Sequence, residues 1–165
     1  MGKTFLGKYD DPGNPTVAVH IGSTQIPNIL VDLGVAINVM TIETIIKLRL
    51  ANIRPTPTVL ELADRSTIKP EGILDDLIIL VDSWEYPTEF LVLQPKPQLG
   101  EHPLILGRTW LATVDSCISY RSGSMTILDG TETKNITLYP IARLSLEAET
   151  TLWMELDEEE EVQPL

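Results

Sequence analysis

Cysteine is nearly absent: Cys117 stands alone in 165 residues. That excludes an internal disulfide framework and fits a reducing, intracellular and cytoplasmic setting. Histidine is almost as scarce. His20 and His102 are the only two, neither is near Cys117 in sequence, and a zinc site needs about four ligands at closed spacing. The chain is therefore read as binding no metal and using no cofactor. Basic residues are outnumbered, 12 Lys and Arg against 24 Asp and Glu, which argues against a nucleic-acid partner because an acidic surface repels phosphates. No apolar run approaches the roughly 18–20 residues of a bilayer span. The segment Met1–Leu6 lacks the apolar stretch of a signal peptide, and Leu6 stands where a myristoylation motif needs Ser or Thr, so no membrane association is expected. Aromatic side chains make up 5%, and Trp84, Tyr86, Trp110 and Trp153 are too scattered to form a stacking platform.

What is present is apolar material, 43% of the chain, enough for a sizeable core in one domain. The formal charge of −12 is unevenly placed. Residues 145–165 hold eight carboxylates and no Lys or Arg, which leaves −4 on residues 1–144. Three parts follow: a Gly-, Asp- and Pro-rich lead-in at 1–14, a domain at 15–144, and an acidic tail at 145–165. The tail is read as a solvated segment, disordered or partly helical. A short amphipathic docking segment built on Leu144, Leu146, Leu152, Trp153 and Leu156 is the other reading. Gly2-Lys3-Thr4 lacks the strand and glycine that precede a P-loop lysine. Asn135-Ile136-Thr137 is a glycosylation sequon in a chain without a secretory signal.

Period-two alternation dominates. Thr16–Ile21 and Gln25–Val31 flank Gly22-Ser23 and predict a hairpin, with Pro27 at an edge or early in its strand because it has no N–H to donate. Val35–Met40 reads as a short strand interrupted by the polar Asn38. Thr41 is placed to cap a helix that keeps its apolar spacing to Leu50. Strands are expected at Thr58–Ala63 and Gly72–Val81, with Asp64–Thr67 as a polar hairpin tip, and again at Thr88–Leu93. A Pro-rich loop spans Gln94–Pro103. Beyond it come the apolar Leu104–Leu106, a short helix at Thr109–Thr113, and strands near Cys117–Tyr120, Ser124–Leu128 and Asn135–Tyr139. Many short strands separated by turn residues predict a mostly β fold, a small closed barrel or sandwich, with one or two short helices.

Asp32 is the residue in which chemistry concentrates. It directly follows the apolar run Ile29-Leu30-Val31 and precedes Leu33-Gly34. A carboxylate at the end of a buried strand is costly unless something satisfies it, and Gly34 allows a tight turn and a close backbone approach. The same spacing occurs in Asp11-Pro12-Gly13, which is read as a plain turn, so Asp32 on local sequence alone is either a turn former or a functional carboxylate.

Three blocks in order decide between these. Val31-Asp32-Leu33-Gly34-Val35-Ala36-Ile37-Asn38-Val39-Met40 is followed by Leu62-Ala63-Asp64-Arg65-Ser66 with Pro70-Glu71-Gly72-Ile73. Pro103-Leu104-Ile105-Leu106-Gly107-Arg108-Thr109-Trp110-Leu111-Ala112-Thr113 comes last. This order resembles the retropepsin-like aspartic proteases, and most closely the protease region of plant gypsy-type retrotransposon polyproteins, from about Thr16 to Leu138. The resemblance implies a closed β-barrel subunit of the acid-protease type, with one catalytic Asp per chain, that pairs with a second copy as a homodimer and cleaves a peptide or polyprotein substrate. Two carboxylates about 3 Å apart cannot both ionise, so one serves as acid and the other as base. Only one such Asp follows an apolar strand here, so one chain cannot build the pair.

Carried over position by position, the resemblance makes Asp32 the catalytic carboxylate and Leu33, Gly34, Val35 and Ala36 the active-site loop. It makes Ala63, Asp64, Arg65, Ser66 and Thr67 the tip of a flap over the substrate. Leu106, Gly107 and Arg108 would support the loop from beneath, with Arg108 expected in a structural salt bridge rather than on substrate. The chain also departs from the family pattern. Leu33 replaces a Thr or Ser whose hydroxyl ties the two loops across the dimer, as in the plant group it resembles. Val35 and Ala36 stand where Ala and then Ser or Asp are usual, and the flap tip has no glycine. Two readings follow: an active aspartic endopeptidase, or a catalytically silent module of the same fold kept for dimerisation or interaction.

Overall fold

The computed structural model describes residues 7–97 and 100–139; the acidic tail and the apolar residues within it lie outside them. β1 (Thr16–Ile21) and β2 (Thr24–Val31) form the expected hairpin, turning at Gly22 with φ +59°. Pro27, expected at an edge or early in its strand, is the fourth residue of β2, on the part of the strand that pairs with β1 alone, before β8 joins it at Leu30. It is accommodated because the β1–β2 register shifts between Val17 and Val19, and Asn28 takes φ +61°. The bulge removes the ladder bond that proline could not make. The Asn28 carbonyl it turns out is taken by His102, whose Nδ1–H donates at 2.9 Å.

The segment expected as one strand from Val35 to Met40 is strand only from Val39, as β3 (Val39–Thr41). Thr41 caps α1 (Ile42–Lys47), its hydroxyl accepting from the Thr44 N–H. The apolar spacing runs on to Leu50, but Arg49 turns to φ +54° and ends the helix early. β4 (Leu60–Glu61) and β5 (Thr67–Ile68) make a two-stranded arm, shorter than expected. β6 (Gly72–Val81) and β7 (Trp84–Leu93) form a long hairpin, and β7 begins four residues before the alternation at Thr88. β8 (Leu104–Leu106) runs into α2 (Arg108–Thr113), then β9 (Cys117–Ser119), β10 (Ser124–Asp129) and β11 (Glu132–Thr137).

The strands close a barrel in the order β1-β2-β8-β3-β7-β6, and β9, β10 and β11 form a separate three-stranded sheet. Val17, Ile29, Phe90, Leu106 and Trp110 fill the barrel, and Met125, Ile127 and Ile136 from the small sheet join the same core. The opposite faces of the barrel strands bury a second cluster, Leu30, Val39, Ile73, Leu91, Leu93 and Ile105, which Ile68 of β5 joins from the arm. This two-sided burial explains why Phe90–Leu93 is continuously apolar while Glu85–Glu89 alternates. Residues 7–14 have no regular structure, yet the Tyr139 hydroxyl donates to the Gly13 carbonyl at 3.2 Å and Arg121 lies 4.4 Å from the Tyr9 ring centre. No helix among the described residues is long and apolar enough to cross a membrane.

One junction positions everything that follows. β8 lies between β2 and β3, parallel to the first and antiparallel to the second. The chain must therefore leave the sheet after Val31 and return at Val39. Asn38, 5% exposed, secures the return. Its Oδ1 accepts from the Gly107 N–H at 2.9 Å, its Nδ2 donates to the Glu89 carbonyl at 3.1 Å, and its own carbonyl accepts from the Leu91 N–H. Replacing Asn38 by Ala strands a buried N–H and a carbonyl, and is expected to destabilise the fold by about 2–4 kcal/mol in urea titrations. Gly107→Ala is expected to be at least as damaging, because its methyl would lie 2.5 Å from the Ile37 carbonyl oxygen and 2.6 Å from that of Val35.

Candidate active site

Asp32 sits at the first residue beyond β2. Its backbone N–H donates to the Leu106 carbonyl at 3.0 Å, so β8 holds it as β2 ends. Its carboxylate is half-buried, and Oδ1 accepts from the Gly34 N–H at 2.8 Å. Gly34 is pressed close: a Cβ there would lie 3.0 Å from the same oxygen. The turn closes with the Val35 N–H on the Asp32 carbonyl at 3.3 Å. Asp11 makes an equivalent turn through the Gly13 N–H at 2.9 Å, but on a fully exposed segment and not against a sheet. The difference between the two sites is therefore the strand behind the carboxylate and the wall beside it.

That wall is the start of α2. The Arg108 N–H donates to the Val35 carbonyl at 2.8 Å and the Thr109 N–H to the Ala36 carbonyl at 3.2 Å. These bonds explain why Val35 and Ala36 do not continue as strand: their carbonyls serve the helix terminus and not a neighbouring strand. Arg108 was expected in a salt bridge. Its guanidinium instead donates through Nη1 to the Leu33 carbonyl at 2.8 Å, and none of the ion pairs among the described residues involves it. Leu106 is fully buried in the barrel core, and Gly107 is the point where the helix terminus touches the loop.

The loop side chains divide sharply. Leu33 is 60% exposed beside the carboxylate. Val35 and Ile37 are half-buried and pack with Leu60 and Leu62 against the second core cluster. Val35 thus adds its apolar side chain to the packing of that cluster. Ala36 is exposed and presents only its methyl group. At the arm tip Ala63, Asp64, Arg65, Ser66 and Thr67 are all exposed. The tip turns without glycine by placing Arg65 at φ +67°, with its N–H on the Leu62 carbonyl at 2.9 Å. The Ser66 hydroxyl and N–H both donate to Asp64, and these bonds hold its carboxyl below the usual range. The root is fixed by Arg54, which bridges Ile73 through backbone bonds in both directions and donates from its guanidinium to Asp75.

Asn38, which holds the loop's return to the sheet, is absent from the residues expected at the site. It registered only as a polar break in an apolar run. A single amide at such a position, followed at a distance by a glycine before a helix, is the signal of a backbone tie. No group of His, Cys, Asp and Glu side chains suited to hold a metal ion occurs among the described residues.

No family model matches the chain, and no curated protein does. Solved structures do. The chain superposes on the retroviral protease-like domain of Ddi1 from Leishmania major with a TM-score of 0.58 at 18% identity, covering 77% of this chain and 94% of that one. It superposes on EIAV protease, solved with the inhibitor HBY-793, with a TM-score of 0.54 at 20% identity, covering 68% and 99%. The mostly β, closed-barrel architecture with two short helices is the retropepsin-like fold.

Proposed function

We propose that this chain is an aspartic endopeptidase that works as a homodimer, with Asp32 of each copy holding and activating the attacking water. The observation that carries the reading is the pairing of two features at one loop apex. A carboxylate is oriented by the Gly34 N–H and left half-open, and directly beside it a large apolar side chain, Leu33, is 60% exposed. An oriented carboxylate next to bare apolar surface is what one half of a two-fold site looks like before the other half covers it. With two copies, one Asp32 takes a proton from water while the other protonates the scissile carbonyl. The arms at Ala63–Thr67 lie over an extended peptide that docks as an added strand.

The sequence blocks around Asp32 and Gly107 support a narrower origin, the protease region of a plant gypsy-type retrotransposon polyprotein. On that reading the natural substrate is the polyprotein itself, processed inside the cell. The departures at Leu33, Val35 and Ala36 from the family pattern are the feature that favours the silent-module reading, and activity separates the two.

Cleavage of an unfolded protein should appear in acid and trace a bell-shaped profile between about pH 3.5 and 7. The rate falls when both carboxylates are protonated and falls again when both are ionised. Asp32→Asn should keep the thermal transition and the mass of about twice 18.3 kDa by light scattering, while losing at least about a thousandfold in kcat. Cleavage that survives in the variant would remove Asp32 from the mechanism, and a folded dimer inactive across the whole range would establish the silent module.

A further inference from the structure

We infer that the cavity between β7, α2 and the root of the β4–β5 arm is an accessory subsite that takes an aromatic side chain of the peptide, away from the scissile bond. Its meaning as a substrate subsite rests on the endopeptidase reading; the binding measured below does not. The cavity measures about 340 Å³. That is ample for one ring, since a cavity of about 150 Å³ already holds benzene. Ile37 and Asn38 of the Asp32 loop form one wall, and Thr58 and Ile73 form the side toward the arm. Tyr86 and Leu91 of β7 and Trp110 and Thr113 of α2 complete it. Asp32, Leu33 and the arm tip are not among its walls, so it is a separate place from the space over the carboxylate. The two places adjoin at Ile37, which packs with Leu60 and Leu62 of the arm against one cluster. A peptide laid between loop and arm as an added strand therefore leaves the carboxylate past this opening. Such a strand advances about 3.3 Å per residue and turns alternate side chains to the same face.

The lining selects the occupant. Tyr86, Trp110, Leu91 and Ile73 are buried and make the floor apolar. The buried polar residues beside them are answered within the chain. Asn38 bonds the Gly107 N–H and the Glu89 carbonyl, and the Thr88 hydroxyl donates to the Tyr86 carbonyl. The one charged wall residue, Glu89, is exposed and has Arg54 at 3.9 Å. A charged side chain on this floor would lose water and gain no counter-charge. Tyr86 and Trp110 meet edge to face with ring centres 6.0 Å apart, an arrangement that a third ring extends. These two side chains are 8% and 2% exposed, yet the Tyr86 hydroxyl and the Trp110 indole N–H have no hydrogen-bond partner among the described residues. An occupant that brings an oxygen gives them an acceptor, which favours tyrosine. In the homodimer the two-fold axis sets one such cavity toward each end of the peptide.

The test uses the full chain and decapeptides that differ only in where a tyrosine replaces an alanine. They are compared by kcat/KM and by the shift of the Trp110 indole resonance, assigned through its loss in Trp110→Phe. Tyrosine should raise kcat/KM at least about thirtyfold over alanine at one position on each side of the scissile bond, neither adjacent to it. The same peptides should move the indole resonance. Thr113→Trp, which fills the cavity from the exposed side of α2, should cut the tyrosine-to-alanine ratio to about threefold or less and abolish the shift. Thr58→Trp, at the exposed rim, serves if that variant does not fold. Equal kcat/KM at every position with the indole unmoved overturns the inference, and Asp32-dependent cleavage would still uphold the endopeptidase reading. A preference confined to the residues flanking the scissile bond and indifferent to Thr113→Trp overturns it as well. A tyrosine-dependent indole shift in a protein without Asp32-dependent cleavage would uphold the aromatic-binding cavity and reject the endopeptidase reading.

Discussion

The site depends on one close approach between backbone segments far apart in sequence. At Gly107 the chain passes so near the Val35 and Ile37 carbonyls that even a methyl group would collide with them. Around this point the Asn38 amide, the first N–H groups of α2 and the Arg108 guanidinium satisfy the polar groups of a loop that has left its sheet. Buried or half-buried backbone cannot stay unpaired without cost. The loop therefore has one low-energy shape, and Asp32 is held at its apex. The barrel order β2-β8-β3 follows from the same constraint, since β8 delivers Gly107 to the place where the loop needs it.

Much of this was legible in the residues, for physical reasons that differ from element to element. The β1–β2 hairpin and β10 follow from period-two alternation, and α1 from its threonine cap, because those signals are local. Pro27 was legible as an edge residue, since β2 meets β8 only at Leu30 and Val31, while the bulge formed jointly with β1 and Asn28 was not. Residues 35–38 looked like strand because their composition is apolar and β-branched. What bends them is the α2 terminus about seventy residues later, which propensity does not register. The Arg108 contact was anticipated in place but not in kind: charge suggested an acidic partner, and the guanidinium found a carbonyl.

The departures at positions 33, 35 and 36 take on a common sense in three dimensions. Val35 packs against the second core cluster and adds apolar contact to it. Ala36 is exposed and offers no polar group. Leu33 leaves a large apolar side chain exposed beside the carboxylate, surface that a second copy covers in the proposed dimer.

That a working site takes one Asp32 from each of two chains is the central claim, and mixing tests it most directly. Asp32→Asn chain is added to wild type under conditions that let copies exchange, at constant total protein. If both carboxylates are required, activity follows the square of the wild-type fraction and stands at about one quarter in an equal mixture. A linear decline to about one half would mean that each chain works alone, and would contradict the shared site.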